Sequence, residues 1–516
     1  MTVEATQPVT AAAALQPGRL RRAVLTWTMD AVNSGVTILV GFVTTPILLK
    51  LLAAERFGAA RAAGEWIGHL MVADLGVGAA FGVLLVRARQ TSLQDAAGVT
   101  RFALRIMSFL TFAIVPMGLV LAWFMPRLVK IDAALARELQ ICAAISVAGL
   151  ALMPLSVFRA VLETGQRGYL VNAALLAQSL TITGLSLLLA WIGWGLIGLS
   201  VAALVGAVLF TAMNARWAVR HLGGIARTPR ADVPMRKLWG LAWPLAAASA
   251  GNRLNLMTDS IVVGYLVGPA PVAVMFLTQR VILLAAGQVT SLSNATWAAL
   301  AELRNAGKQD IFQSRLAELA RLIVGLGTVL GGTAAAYDAQ FVRLWVGREM
   351  YGGDWLAAFT VASAVVFGFL CLFSWVIDMQ GDTRHRLPVS TIGSILNLVL
   401  SVTFVKAFGL PGVALGTLAA YLLTDAWYSP LLVCRRYDVP PSLILRAAAR
   451  GLAVGLPWAT GAWLLTRSHT PPMRWLGFSA EVAVVGTLAL AYCWWGLLTP
   501  PERDQWRQRL RQLARD

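Results

Sequence analysis

The sequence predicts an all-α polytopic membrane protein with about fourteen transmembrane helices. These form two parallel six-helix repeats around a central cavity, plus two C-terminal helices. Three observations carry this. Of 516 residues, 58% are hydrophobic and only 13% are charged, with a mean hydropathy of +0.69, against about 25% charged in soluble domains. Apolar runs near the ~20 residues that a spanning helix needs recur along the whole chain. Lys and Arg alternate between rich and poor connecting segments, as the positive-inside rule requires.

Taken in order, the expected spans are 27–52, 62–85, 102–125, 138–160, 169–192, 195–214, 239–265, 271–297, 317–337, 355–378, 387–407, 411–433, 447–466 and 475–498. The stretch after Arg19, Arg21 and Arg22 contains Asp30 and Asn33. It is too long and too polar for a signal-peptide core and reads as an uncleaved first helix. With the N-terminus inside, thirty of the forty-three Lys and Arg fall on the inner side and eleven on the outer. That bias places both termini in the cytoplasm and requires an even number of spans. The +18 net charge is therefore spread over many short loops, which argues against a nucleic-acid-binding surface. The implied location is the cell inner (cytoplasmic) membrane.

Two stretches show that the chain repeats itself. Leu25-Thr26-Trp27 recurs as Leu241-Ala242-Trp243, and Ser34-Gly35 falls on Ala250-Gly251 at the same offset. Gly165-Gln166-Arg167-Gly168-Tyr169 opens a helix pair containing Gly195 and Gly198; Gly381-Asp382-Thr383-Arg384 opens one containing Gly409 and Gly412. The offset covers six spans, so both halves enter the membrane from the same side, as parallel repeats do. The expected division is a flexible tail (1–18), an N-terminal bundle (19–235), a C-terminal bundle (236–440), two extra helices (441–499) and a basic cytoplasmic tail (500–516). The extra helices could serve as a lipid-facing appendage, a groove for a lipid tail or an oligomer contact.

Ionisable groups inside spans are functional candidates by default, because an arginine at bilayer depth costs about 2.5–3.5 kcal/mol on insertion scales. Arg253 and Arg280 lie near the middle of spans seven and eight. Asn255 and Asp259 share a helix face, with Arg253 about 120° away. Asp30, Glu65, His69 and Asp74 fall in spans one and two. The expected substrate-binding set is Arg253, Arg280, Asn255 and Asp259. The expected coupling or ion-pairing set is Asp30, Glu65, His69 and Asp74, with Glu65 or Asp30 opposite Arg280 or Arg253. Each group also has a blander reading: a register-setting ion pair for the arginines, an interhelical donor for His69, a turn cap for Asp74.

Absences narrow the chemistry. The sequence has no GxxxxGK(S/T), no HExxH and no CxxC pair among its four cysteines. No cofactor, metal or catalytic residue is expected, and no long outer loop offers room for the acids of a glycan polymerase or glycosyltransferase.

Three stretches resemble a known family. They are Pro46–Leu52 with Glu55-Arg56-Phe57-Gly58, Ala73–Gly78, and Thr258–Pro269 with Leu300-Ala301-Glu302-Leu303. The chain resembles the polysaccharide transporter family, the Wzx-type flippases of lipid-linked oligosaccharides, within the multidrug/oligosaccharidyl-lipid/polysaccharide exporter superfamily. It departs from the common pattern at Ala53-Ala54, where many relatives have Gly-Pro or similar. The resemblance implies two six-helix bundles that open alternately to either side of the membrane. It implies transport of a polyprenyl-linked glycan, with membrane lipids and polysaccharide polymerase or assembly proteins as partners. Alternatives are a multidrug/cation antiporter or a lipid II flippase of the same superfamily.

Overall fold

In the computed structural model, residues 17–70, 74–224, 229, 231, 233–379, 383–469 and 474–513 are described. Among them every regular element is helical. Backbone groups in lipid must be satisfied within the segment, which long helices achieve.

The elements are α1 (Pro17–Leu70), α2 (Val77–Thr91), α3 (Leu93–Val129), α4 (Ala133–Leu150), α5 (Ser156–Thr164), α6 (Gly168–Trp191), α7 (Gly195–His221), α8 (Met235–Leu266) and α9 (Pro269–Asn305). They continue with α10 (Gln309–Trp345), α11 (Asp354–Met379), α12 (Thr383–Phe408), α13 (Leu410–Leu423), α14 (Asp425–Arg436), α15 (Pro441–Ser468), α16 (Trp475–Gly496) and α17 (Pro500–Leu513). Among the described residues, ten helical segments are long and apolar enough to cross a membrane.

Departures from the expected spans have local causes. α1 is two helices joined end to end at Ala53, whose φ of 62° and ψ of 164° are not helical. The second expected span is interrupted at Leu75 and Gly76, with φ of 53° and 71°. Gly76 is required there, because a Cβ would approach the Ala246 backbone nitrogen to 2.5 Å. The twelfth expected span breaks at Thr424 into α13 and α14. The motif residue Ala73 and the repeat residues Gly381 and Asp382 lie outside the described residues.

The chain forms two compact units. One comprises 1–51, 73–123 and 138–246; the other comprises 52–72, 124–137 and 247–516. Within the first, α6 and α7 form a hairpin through Gly195 (φ 52°), and a Cβ on Gly198 would come within 2.8 Å of Leu189 Cβ. Within the second, α12 and α13 form the corresponding hairpin through Gly409 (φ 67°). There a Cβ on Gly412 would collide with the Phe404 carbonyl, and one on Gly416 would lie 2.6 Å from Ser401 N. The glycine pairs from the repeat thus occupy equivalent turns, and small residues allow close helix packing.

α15 packs along α10 through a second glycine seam. A Cβ on Gly451 would lie 2.8 Å from Arg321 O, and one on Gly455 would lie 2.5 Å from Thr328 Cβ. A mostly apolar groove of about 680 Å³ remains between α10, α11 and α15, ending at the Arg467–Asp354 ion pair. Within the basic C-terminal stretch, α17 is pinned to α10 by Glu502, which accepts two hydrogen bonds from Arg321 (2.6 and 2.7 Å).

Candidate functional site: an arginine–aromatic cluster and a buried carboxylate network

The break at Ala53 starts a new helical stretch with its own register. In that stretch Phe57, Arg61, Glu65 and His69 recur every fourth residue, which places them on one face. They belong to the second unit, as does α9 with Phe276 and Arg280, also four apart. Phe57 packs on Phe276 at 6.1 Å between ring centroids. The Arg61 guanidinium carbon lies 4.3 Å from the Phe276 ring centre, and that of Arg280 lies 5.6 Å away. Two guanidinium groups therefore share one aromatic ring, each within cation–π range.

Glu65 tempers only part of this charge. It pairs with Arg61, its neighbour one turn earlier, at 3.4 Å. Its other carboxylate oxygen is buried and has no hydrogen-bond partner. Among the described residues Arg280 forms no ion pair. His69 bonds through Nδ1 to the backbone carbonyl of Glu65 at 2.8 Å, a local contact within its own helix.

A second polar group lies deeper in the same unit. Asp259 on α8 faces the Thr417 hydroxyl at 3.4 Å. That hydroxyl is 3.0 Å from Asn397 Oδ1, which also accepts from Ser401 Oγ at 3.1 Å. The Asn397 side-chain nitrogen is buried and unpartnered. Ser260, next to Asp259 in sequence, is buried as well. The unit thus holds the Arg61–Phe276–Arg280 cluster with Glu65, and a hydroxyl–amide chain that runs from Ser401 through Asn397 and Thr417 to Asp259.

The remaining candidates fall elsewhere. Asp74 accepts the Gly76 N–H at 2.9 Å and closes the turn before α2. Asp30 is exposed on α1 in the first unit. Arg253 and Asn255 are in α8, but their side chains lie outside the described residues. Sequence reasoning missed Arg61, Phe276, Asn397 and Thr417. The four-residue recurrence from Phe57 was the signal that would have found Arg61. It also missed Asp338 on α10, which is 0% exposed with neither carboxylate oxygen bonded. Among the described residues no three His, Cys, Asp or Glu side chains gather in a way that could hold a metal ion.

Residues 27–298 match a family described as polysaccharide biosynthesis protein. A search of curated proteins gives no match. Among solved structures, the lipid II flippase MurJ in an inward closed conformation is similar, with TM-score 0.69 and 14% identity, over 90% of this chain and 98% of that one. An inward-facing multidrug resistance MATE family transporter of the MOP superfamily is similar at TM-score 0.61 and 15% identity, over 79% of this chain and 98% of that one. A Vibrio cholerae MATE transporter, VcmN, gives TM-score 0.54 and 14% identity, over 81% of this chain and 98% of that one. At these identities the likeness is one of fold.

Proposed function

The chain belongs to the polysaccharide biosynthesis protein family, and we propose that it carries a lipid-linked oligosaccharide or polysaccharide precursor across the cytoplasmic membrane by alternating access. The observation that supports this most is the pair of guanidinium groups on Phe276, one of them without a carboxylate partner among the described residues. A diphosphate linking a glycan to a polyprenyl chain presents several anionic oxygens, and the guanidinium fork matches such oxygens in pairs. The apolar groove of about 680 Å³ between α10, α11 and α15 suits the hydrocarbon part of such a cargo. Glu65 and Asp259 then serve the cycle as carriers of a coupling proton or cation. Both termini lie in the cytoplasm in this reading, on the strength of the Lys and Arg distribution.

The antiporter alternative predicts a cavity dominated by acids, with no use for Arg280. The chemistry that Arg61, Phe276 and Arg280 offer favours the anionic cargo. A glycan polymerase would need catalytic acids in a long outer loop, and no residue here is given that role. The decisive experiment reconstitutes the full chain in vesicles. It follows a labelled polyprenyl diphosphate oligosaccharide with a membrane-impermeant lectin, beside efflux of an organic cation. Protein-dependent appearance of the glycan on the far leaflet is expected. Cation exchange without glycan translocation would reject the proposal in favour of antiport.

A further inference from the structure

The first unit gathers basic side chains around the turn between α5 and α6. Arg89, near the end of α2, donates to the Val161 carbonyl at 3.3 Å, and its second terminal nitrogen lies 3.1 Å from His221 Nε2 near the end of α7. In that contact the guanidinium donates and the imidazole accepts, so the ring is neutral with its hydrogen on Nδ1. Both groups lean over Gly165. A Cβ there would collide with Arg89 and come within 3.2 Å of His221 Nε2. Two residues on, Arg167 is the N-cap of α6. The start of α1 closes the other side: a Cβ on Gly168 would lie 2.7 Å from the Thr26 methyl, and Asn172 donates to the Thr26 carbonyl at 3.1 Å. The Thr26 hydroxyl donates to the Arg22 carbonyl, which sets Arg22 one turn away.

Arg89 and His221 thus meet over the turn that Arg167 caps, and the Thr26 contacts bring the α1 backbone, one turn after Arg22, against the same turn. Among the described residues none of the three arginines has a carboxylate partner. The nearest acid in sequence, Glu163, is engaged by Arg159 at 2.7 Å. Like charges brought close together repel, more strongly where they are partly buried than in water. Consistent with this, Arg89 is held below the ordinary arginine pKa by burial first, then by Arg167 and Arg22. The N-terminus of α6, a helix of 24 residues, adds uncapped N–H groups and the positive end of its dipole to the same place.

We infer that Arg22, Arg89, Arg167 and His221, with the N-terminus of α6, form a phosphate-binding site in the first unit. Its residues belong to the first unit, whereas Arg61, Phe276 and Arg280 belong to the second, and the site is independent of which cargo that cluster takes. Phosphate chemistry fits because several fork-shaped donors from different helices converge, which a tetrahedral, multiply charged group can satisfy together. Arg89 is already oriented by Val161 and His221, so little side-chain freedom is lost on binding. The phosphate has two sources, a lipid headgroup or a soluble phosphate compound, and they are separable by experiment.

The test uses the full chain in lipid nanodiscs, as wild type, as the double variant Arg89→Gln/Arg167→Gln, and as Arg89→Lys/Arg167→Lys. The Lys variant preserves charge, and with it membrane orientation, while removing the forks. In phosphatidylcholine discs, inorganic pyrophosphate is titrated by calorimetry. In discs of phosphatidylcholine mixed with phosphatidic acid, lipid retained through detergent washing is identified by native mass spectrometry. Saturable pyrophosphate binding, weakened about tenfold or more in the Gln variant and partly in the Lys variant, supports the site with a soluble source. Selective retention of phosphatidic acid, lost in the Gln variant, supports it with a lipid source. If neither probe binds wild type, or if all three folded proteins behave alike, the site does not exist.

Discussion

Ala53 is an alanine whose backbone holds a glycine's conformation. A φ of 62° with ψ of 164° lies in a region that is essentially restricted to glycine. Occupying it with alanine costs on the order of 1–3 kcal/mol. The side chain is exposed, so it recovers little by packing. Ala53→Gly removes that strain but adds unfolded-state freedom of about 0.4–1 kcal/mol. The expected net effect is a stabilisation of about 1 kcal/mol, within the spread of those two terms. Ala54, one residue on, lies in the helix, where Ala→Gly costs about 1 kcal/mol.

Neighbouring substitutions of identical chemistry should therefore act with opposite signs. Thermal unfolding of the purified protein in detergent, followed by intrinsic fluorescence, should place Ala53→Gly above wild type and Ala54→Gly below it. Two decreases of similar size would mean that the helix runs through Ala53 unbroken and that no break re-aims the Phe57–Arg61–Glu65 face. The first segment of the first unit ends at Leu51 and the first segment of the second begins at Leu52, so the break lies where the chain passes from one unit to the other.

Four further outcomes follow from the site and the packing. Arg280→Ala should weaken precursor transport by about ten- to a hundredfold, the worth of one charge-assisted contact, and Arg280→Lys should retain part of it; equal rates in the vesicle assay would remove Arg280 from cargo binding. Glu65→Gln and Arg61→Gln should each lower transport, and a double variant no better than either single one would show that Glu65 does more than neutralise Arg61, a partly exposed pair 3.4 Å apart. Gly412→Ala, which drives a Cβ into the Phe404 carbonyl, should destabilise by about 1–3 kcal/mol or more and exceed Gly198→Ala, measured by thermal midpoint. Burial alone would raise the Glu502 carboxyl, but Arg321 and the Thr499 N–H hold it below its usual value. Its stabilisation is therefore complete above the unfolded-state titration and lost as pH falls through the lowered folded value. Glu502→Gln should accordingly cost about 1–2 kcal/mol near neutral pH and nothing in acid, read from α17 hydrogen exchange across pH.

The repeat was legible because its glycines are steric requirements. Gly195 and Gly409 take positive φ at matching hairpin turns, and Gly198 and Gly412 let each hairpin close. Such positions survive divergence that erases apolar matches, since one leucine packs much like another. The helix breaks were hidden for the opposite reason. Ala53 and Thr424 carry no breaker chemistry of their own, and a change of φ and ψ at such residues leaves no mark on hydropathy.

The same distinction governs the site. Arg280 could be read from the sequence because a lone charge in an apolar run has no local explanation. Arg61 could not, because it stands with Glu55 and Arg56 at the edge of a span and resembles loop chemistry; only its placement on the Phe276 ring gives it a role. Asp338 was lost through a boundary. The expected span ended at residue 337, whereas α10 continues to Trp345 and buries the carboxyl without a partner. A buried acid in a lipid-spanning helix is expensive unless something compensates it during the working cycle. Asp338→Asn tests this directly: an isosteric neutral side chain should raise thermal stability if the acid is only a burden, and should lower transport if its charge is used. A variant unchanged in both would show that the carboxyl stays neutral throughout and contributes nothing to the cycle.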